Sequence, residues 1–249
     1  MRNTLTLLLL LIVGSSTFAQ VKGTVQYTST RKLEINIEGD MPPPPGLPDK
    51  IENKTVLYFT EKASLYKNAE QAEDAMNVDQ EADGGQMVVM RMAPPENIVY
   101  CDLENKTVTQ QRDFMQRKFL IEAPMNADGW KLTGKQKLIL NYPCQEAMRA
   151  DSTDTVSVWF TAVFPVSTGP MEYIGLPGLV LEVNVQNGLE IITATSVTKE
   201  ADEKQIEKPK DGKKVTQEEY DVIVAEKLKE MGIEPGGPGG KVVIHIEND

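Results

Sequence analysis

Histidine and cysteine are nearly missing from this sequence, with one His and two Cys among 249 residues. A single His cannot build a two-His or three-His metal centre, and two Cys cannot complete a four-cysteine zinc site or hold an iron-sulfur cluster alone. Hydrolytic triads need a His or a substitute base beside the nucleophile. The one His, His245, stands in a short apolar run near the C-terminus, and neither Cys has an activating neighbourhood. Positive charge is also scarce: 26 Lys and Arg face 37 Asp and Glu, for a formal charge of −11. Nucleic-acid surfaces need clustered cations, so nucleic acid is not an expected partner. No glycine-rich phosphate loop occurs, because the Gly236-Gly237-Pro238-Gly239-Gly240 stretch precedes a strand-like run rather than a helix. No cofactor is expected, and no run is long enough to span a bilayer.

What is present begins with an export segment. Arg2 is followed by the apolar run Leu5 to Val13, broken only by Thr6, and then by Gly14-Ser15-Ser16-Thr17-Phe18-Ala19. A basic start, an apolar stretch about half the ~20 residues of a membrane span and small residues at Thr17 and Ala19 predict a secretory signal over 1–19, cleaved before Gln20. The chain is therefore expected to be periplasmic or secreted, without a transmembrane segment once mature. Export places Cys101 and Cys144 in an oxidising compartment. A disulfide between them would close a loop of roughly 43 residues, worth on the order of 4 kcal/mol on the chain-entropy model; two buried thiols that never meet are the alternative.

Forty per cent of the residues are hydrophobic, enough for a sizeable core. Most of them fall into short runs of period two. Val21, Gly23, Val25 and Tyr27 alternate with polar residues, as do Leu33, Ile35 and Ile37. Further strands are predicted at 55–60, 87–92, 98–102, 106–109, 114–122, 155–164, 179–185 and 189–198, parted by turn residues such as Asp128-Gly129 and Asn187-Gly188. Parallel strands would need crossover helices, so an antiparallel sheet is favoured. One helix has clear signals: Thr216 caps it, Glu219 completes a capping box, and Tyr220, Ile223, Val224, Leu228 and Met231 share a face before Gly232. The fold expected is mainly β: one strongly curved antiparallel sheet over 20–215, in the form of a half-open barrel like the periplasmic lipoprotein carriers. A C-terminal helix over 216–231 packs on it, and a Gly/Pro linker with a terminal strand occupies 232–249.

Two stretches read as loops, Met41 to Pro48 with four successive prolines and Asn68 to Gly85 with six acids and no base. Within the second, Asp79, Glu81, Asp83 and Gly84 imitate the first half of a calcium loop, but Met90 stands at the twelfth position, where a bidentate Glu is required. Met87, Met90 and Met92 are soft ligands of the kind Cu(I) takes, yet on a strand Met87 faces away from the other two. Asp79, Glu81, Asp83, Met90 and Met92 are thus weak metal candidates, with a solvated loop and methionine core filler as the plainer readings.

The most distinctive stretch is Gly169-Pro170-Met171-Glu172-Tyr173-Ile174-Gly175-Leu176-Pro177-Gly178-Leu179-Val180. Pro177-Gly178 predicts a type II turn, after which Leu179, Leu181 and Val183 alternate into a strand. With Trp130, the Tyr142-Pro143-Cys144-Gln145-Glu146-Ala147 segment and the Trp159-Phe160-Thr161 strand, it resembles the GLPGLI family, exported proteins of Bacteroidota named for the hexapeptide at Gly175–Val180, here with Val180 in place of the final Ile. The resemblance makes Gly175, Leu176, Pro177, Gly178, Leu179, Val180, Trp159 and Cys144 the family-motif residues. The family has no established activity, and its association with TonB-dependent outer-membrane transporters implies an envelope role. The expected function is therefore a non-enzymatic binding or accessory protein of the envelope, with an outer-membrane transporter component or an apolar ligand as partner. The alternatives are a metal-binding protein for Cu(I) or Ca²⁺ and a hydrolase working with carboxylates alone.

Overall fold

A computed structural model describes residues 21–32, 50–69, 76–82, 86–92, 96–150, 155–230, 234–235 and 242–243, with the backbone alone at 76–82, 86–92, 234–235 and 242–243. The predicted signal segment, Leu33, Ile35, Ile37, the proline run at 41–48, Asp83, Met231 and His245 lie outside the described residues.

The strands are β1 (Gly23–Lys32), β2 (Lys50–Phe59), β3 (Ala63–Asn68), β4 (Met76–Ala82), β5 (Gln86–Met92), β6 (Asn97–Asp102), β7 (Thr107–Phe114) and β8 (Arg117–Pro124). They continue with β9 (Lys131–Ile139), β10 (Tyr142–Ala150), β11 (Thr155–Thr161), β12 (Leu179–Val185), β13 (Glu190–Thr198) and β14 (Lys213–Val215). Helix α1 (Gln217–Glu230) follows, with the short β15 (Glu234–Pro235) and β16 (Val242–Val243) beyond it. Twelve strands form one sheet in the order β14-β8-β7-β6-β3-β2-β1-β13-β12-β11-β10-β9. Every neighbouring pair is antiparallel except β14 with β8, and the ends β14 and β9 are not joined, so the sheet is open rather than a barrel. No helix among the described residues is long and apolar enough to cross a membrane.

The curvature follows from what one ring touches. Phe164 meets Phe59 of β2 at 5.9 Å and Tyr142 of β10 at 5.3 Å between ring centroids. Those strands are five places apart in the sheet, roughly 24 Å if it were flat. The sheet must therefore curl around Phe164 and the segment that carries it, residues 162–178. That segment has no regular structure, yet Phe164, Val166, Ile174 and Leu176 are all buried in the core beside Val25, Leu57, Val99, Val158 and Val183. The apolar concave face is thus filled by the chain itself.

Buried irregular backbone must still find hydrogen bonds. Here Leu179 N–H donates to Phe164 O (3.2 Å), Val180 N–H to Thr168 O (3.0 Å), and the Ser64 and Thr168 hydroxyls meet at 2.6 Å. The buried Tyr27 hydroxyl donates to Val180 O at 2.7 Å, tying β1 to the start of β12.

Several expectations are corrected by this backbone. The acidic stretch at 68–85 is not wholly a loop, because Met76–Ala82 pairs with Gln86–Met92 as a hairpin. The run at 114–122 is two strands, parted at Met115-Gln116, both of which have positive φ (48° and 61°). Those are the torsions of a type I′ turn, usually supplied by Asn-Gly. Pro177-Gly178 is not a type II turn: Gly178 N–H donates to Leu176 O at 2.8 Å, an inverse γ-turn centred on Pro177, whose ring already holds the required φ.

Helix α1 begins as its sequence dictates. Glu219 N–H donates to Thr216 Oγ1 (3.1 Å) and Thr216 N–H to Glu219 Oε2 (2.9 Å), a complete capping box. Tyr220, with Ile223 and Val224 beside it, packs on Phe114, Phe119, Ile121 and Val215, a second core at the β14 end of the sheet.

Candidate functional site

The Gly169–Val180 stretch owes its composition to close backbone approach. A Cβ on Gly178 would lie 2.3 Å from Thr161 O, one on Gly169 2.5 Å from Tyr173 O, and one on Gly175 2.5 Å from Ala127 Cα. Gly175 also has φ +91°, which disfavours a side chain. Each glycine therefore lets the 162–178 segment seat against its neighbours. Trp130 clamps the same segment: its indole N–H donates to Ile174 O at 3.0 Å, and the Arg149 guanidinium lies 4.6 Å from its ring centroid.

At one end of the concave face the apolar lining gives way to polar side chains. Cross-strand register sets one row there, Arg31–Glu190–Val185–Val156–Arg149. A second, Asn53–Ser29–Ile192, and a third, Asn68–Thr55–Tyr27–Ala194, lie next to it. Glu172 and Tyr173 of the 162–178 segment lie within electrostatic reach of these rows, Tyr173 sensing Glu190, Arg149 and Arg31. Glu190 is tied by Arg31 (2.6 Å) and Ser29 (3.0 Å), and Asn53 Nδ2 donates to Asn68 Oδ1 (3.0 Å). Three buried oxygens in this mouth, Asn53 Oδ1, Thr55 Oγ1 and Glu172 Oε2, make no hydrogen bond to any described protein group.

The electrostatics show that these groups share one environment. Burial pushes the Tyr173 phenol up, and the Glu172 and Glu190 carboxylates add to the rise against the opposing charges of Arg149 and Arg31. Burial likewise raises Tyr66, with Glu190 and Glu172 contributing. Thr55 lies close enough to draw Tyr66 down, though its hydroxyl makes no hydrogen bond of ordinary geometry. Both phenols are therefore neutral donors near pH 7.

The residues most distinctive in the sequence lie elsewhere. Cys101, on β6, and Cys144, on β10, are free thiols buried in the same core cluster, so the crosslink is not formed in this structure. Burial pushes each to about 11, with Ser64 hydrogen-bonded to Cys101 and Tyr142 O accepting from Cys144 Sγ at 3.4 Å. Trp159 lies on the sheet face opposite Val158, where Lys137 Nζ sits 4.3 Å from its ring centroid and reaches Glu182 at 2.7 Å. Glu146, across from Trp159, is buried and engaged by Thr133 (2.7 Å) and Lys135 (3.0 Å). These two carboxylates are thus held by lysines.

Register puts Asp79 opposite Val89 and Glu81 opposite Met87, whereas Met90 and Met92 stand opposite Val78 and Met76. By strand alternation Asp79 and Glu81 fall on the opposite side of the hairpin from Met90 and Met92. No group of three or more His, Cys, Asp or Glu that could hold a metal occurs among the described residues. A furrow of about 650 Å³ lies between Phe119 and α1, rimmed by Arg117, Lys213, Lys227 and Glu226; it is far from the polar mouth and contains none of the unpaired buried oxygens.

The sequence model of the PNGase F-II N-terminal domain, described as N-glycanase peptide, N-terminal domain, matches residues 53–224, more than half of the chain. The chain belongs to this family. Two crystal forms of PNGF-II share the fold. One superposes with a TM-score of 0.54 at 19% identity, over 82% of this chain and 33% of that one. The other gives 0.54 at 20%, over 83% and 33%. The chain thus spans about a third of the PNGF-II length. No curated protein sequence matches it. The family match takes in β2 from Asn53 onward, β3, Trp130 and the whole 162–178 segment, and so includes Asn53, Thr55 and Glu172 of the mouth.

Proposed function

We propose that this chain is a non-catalytic accessory domain of the cell envelope, exported by its N-terminal segment, which binds a ligand at the polar mouth of its sheet. The observation that carries this reading is the set of buried oxygens on Asn53, Thr55 and Glu172 that no described group hydrogen-bonds, gathered where the concave face turns polar. Each such group costs about 1–3 kcal/mol to keep buried, and a recognition surface gives a fold reason to retain it.

Membership of an N-terminal domain family of an N-glycanase supports a role beside an enzyme rather than as one. The GLPGLI resemblance adds the envelope setting, with an outer-membrane transport system as the partner it implies. The filled concave face favours a polar ligand over the apolar one also expected from the sequence.

The test uses the purified mature chain, Gln20 to Asp249. It is expected to release no glycan from an N-glycopeptide, and to gain thermal stability with at least one of a neutral oligosaccharide, a dipeptide and a fatty acid, as linkage requires of a ligand that binds the folded state. Glycan release, or no stabilisation by any of the three, would overturn the reading.

A further inference from the structure

We infer that the ligand of the mouth is uncharged and rich in hydroxyl groups, a sugar-type molecule held by Asn53, Thr55 and Glu172. This rests on the reading of the chain as a binding domain and narrows it to one chemical class.

Charge in the mouth sums to zero. The mouth holds two cations, Arg31 and Arg149, and two carboxylates, Glu172 and Glu190; Glu190 is tied to Arg31 and Ser29, and Arg149 is stacked on Trp130. No surplus charge is left to select an ion. An anionic ligand would bring only acceptors to Asn53 Oδ1 and Glu172 Oε2, which themselves only accept. A fatty acyl chain would leave all three oxygens unpaired, at the full desolvation cost.

A hydroxyl group both donates and accepts. It can donate to Asn53 and Glu172, and do either with Thr55, whichever way the Asn53 amide is turned. The Tyr66 and Tyr173 phenols lie in the same environment as neutral partners. Asn53 and Thr55 are two residues apart on one face of β2, roughly 7 Å along the strand, a distance that one or two sugar rings span. Thr55 is 2% exposed, so its hydroxyl forms the floor of the site, while Arg31, with a side chain 46% exposed, stands at the rim.

The experiment is a fluorescence titration of the mature chain carrying Trp159→Phe, in which Trp130 alone reports. Its probes are N,N′-diacetylchitobiose, glycylglycine and octanoate. The disaccharide is expected to change Trp130 emission saturably, with affinity falling tenfold or more in Asn53→Ala and in Glu172→Ala and unchanged in Lys135→Ala. If the disaccharide gives no response while glycylglycine or octanoate binds, the sugar inference falls and the binding-domain reading stands; silence from all three overturns both. A saturable response that neither substitution weakens would place the sugar elsewhere and overturn the inference. Should either variant fail to fold, hydrogen exchange of the Trp159→Phe chain decides: slowed exchange at 53–55 on adding the disaccharide is expected, and unchanged exchange there overturns it.

Discussion

Replacing Gly178 by Ala should be among the most damaging single-methyl additions in this protein. The added Cβ would fall 2.3 Å from Thr161 O and 2.8 Å from Thr161 C, with Phe160 Cδ2 at 3.1 Å. Two of these atoms are backbone in β11, paired with β12 through Phe160↔Val180 and Thr161↔Leu179, so no rotamer change relieves the contact. Overpacking a rigid site costs about 1–3 kcal/mol, and immobile neighbours put this case at the upper end, about 3 kcal/mol. For a domain of this size each kcal/mol lowers the midpoint by about 2–4 °C, so a fall of roughly 6–12 °C is expected. Gly134→Ala is the control: its φ is +80° but nothing lies within 4 Å of the added methyl, so only the left-handed backbone penalty of about 1–2 kcal/mol applies. Thermal and urea unfolding followed by circular dichroism would compare the two. If Gly178→Ala were no worse than Gly134→Ala, the motif glycine would not be explained by close approach.

Other consequences are as direct. Trp130→Phe removes the bond to Ile174 O and the Arg149 stacking, so urea unfolding should show a loss of about 1–2 kcal/mol. Thr216→Ala breaks the capping box, costing about 1 kcal/mol and raising amide exchange in the first turn of α1 while leaving that of β12 unchanged. With Cys101 and Cys144 both near 11, only about one thiol in a thousand is ionised at pH 8. A thiol reagent should therefore find two thiols after denaturation and almost none before; a denatured chain with no thiols would show a disulfide instead. These raised pKa values favour the neutral thiols in the fold. The stability they add is complete below their ordinary value of 9.0 and lost as pH rises through about 11. Buried Tyr27, Tyr66 and Tyr173 act in the same sense. Urea midpoints should decline from about pH 9 upward, and Cys101→Ala with Cys144→Ala should reduce that decline.

The sequence was most readable where local chemistry decides the outcome. Alternation placed β12 at its observed bounds and β6, β11 and β13 nearly so, and Thr216 with Glu219 marked the start of α1. It was least readable at the rims. Lys131–Ile139 is exposed almost throughout because β9 is an edge strand, with Leu132 and Leu138 turned outward, and Lys213–Val215 is too short for a period. The hairpins at Met115-Gln116 and Leu140-Asn141 use positive φ without glycine, so no turn signal betrays them. The motif stretch was recognisable, but its burial as the filling of the sheet depends on curvature that no local pattern encodes. The mouth was missed for a similar reason: Arg31, Asn53, Thr55, Glu172 and Glu190 come from segments far apart in sequence, and each alone is an ordinary polar residue. Buried oxygens without partners become visible only once the strands are in register.

The central claim, that the polar mouth is a recognition site for a hydroxyl-rich ligand, is tested most directly by a crystal structure of the mature chain grown with N,N′-diacetylchitobiose. The prediction is a sugar ring between Glu172 and β2, with hydroxyls donating to Asn53 Oδ1 and Glu172 Oε2 and one meeting Thr55 Oγ1. Ordered water on all three oxygens, with the disaccharide bound elsewhere or nowhere, would contradict it.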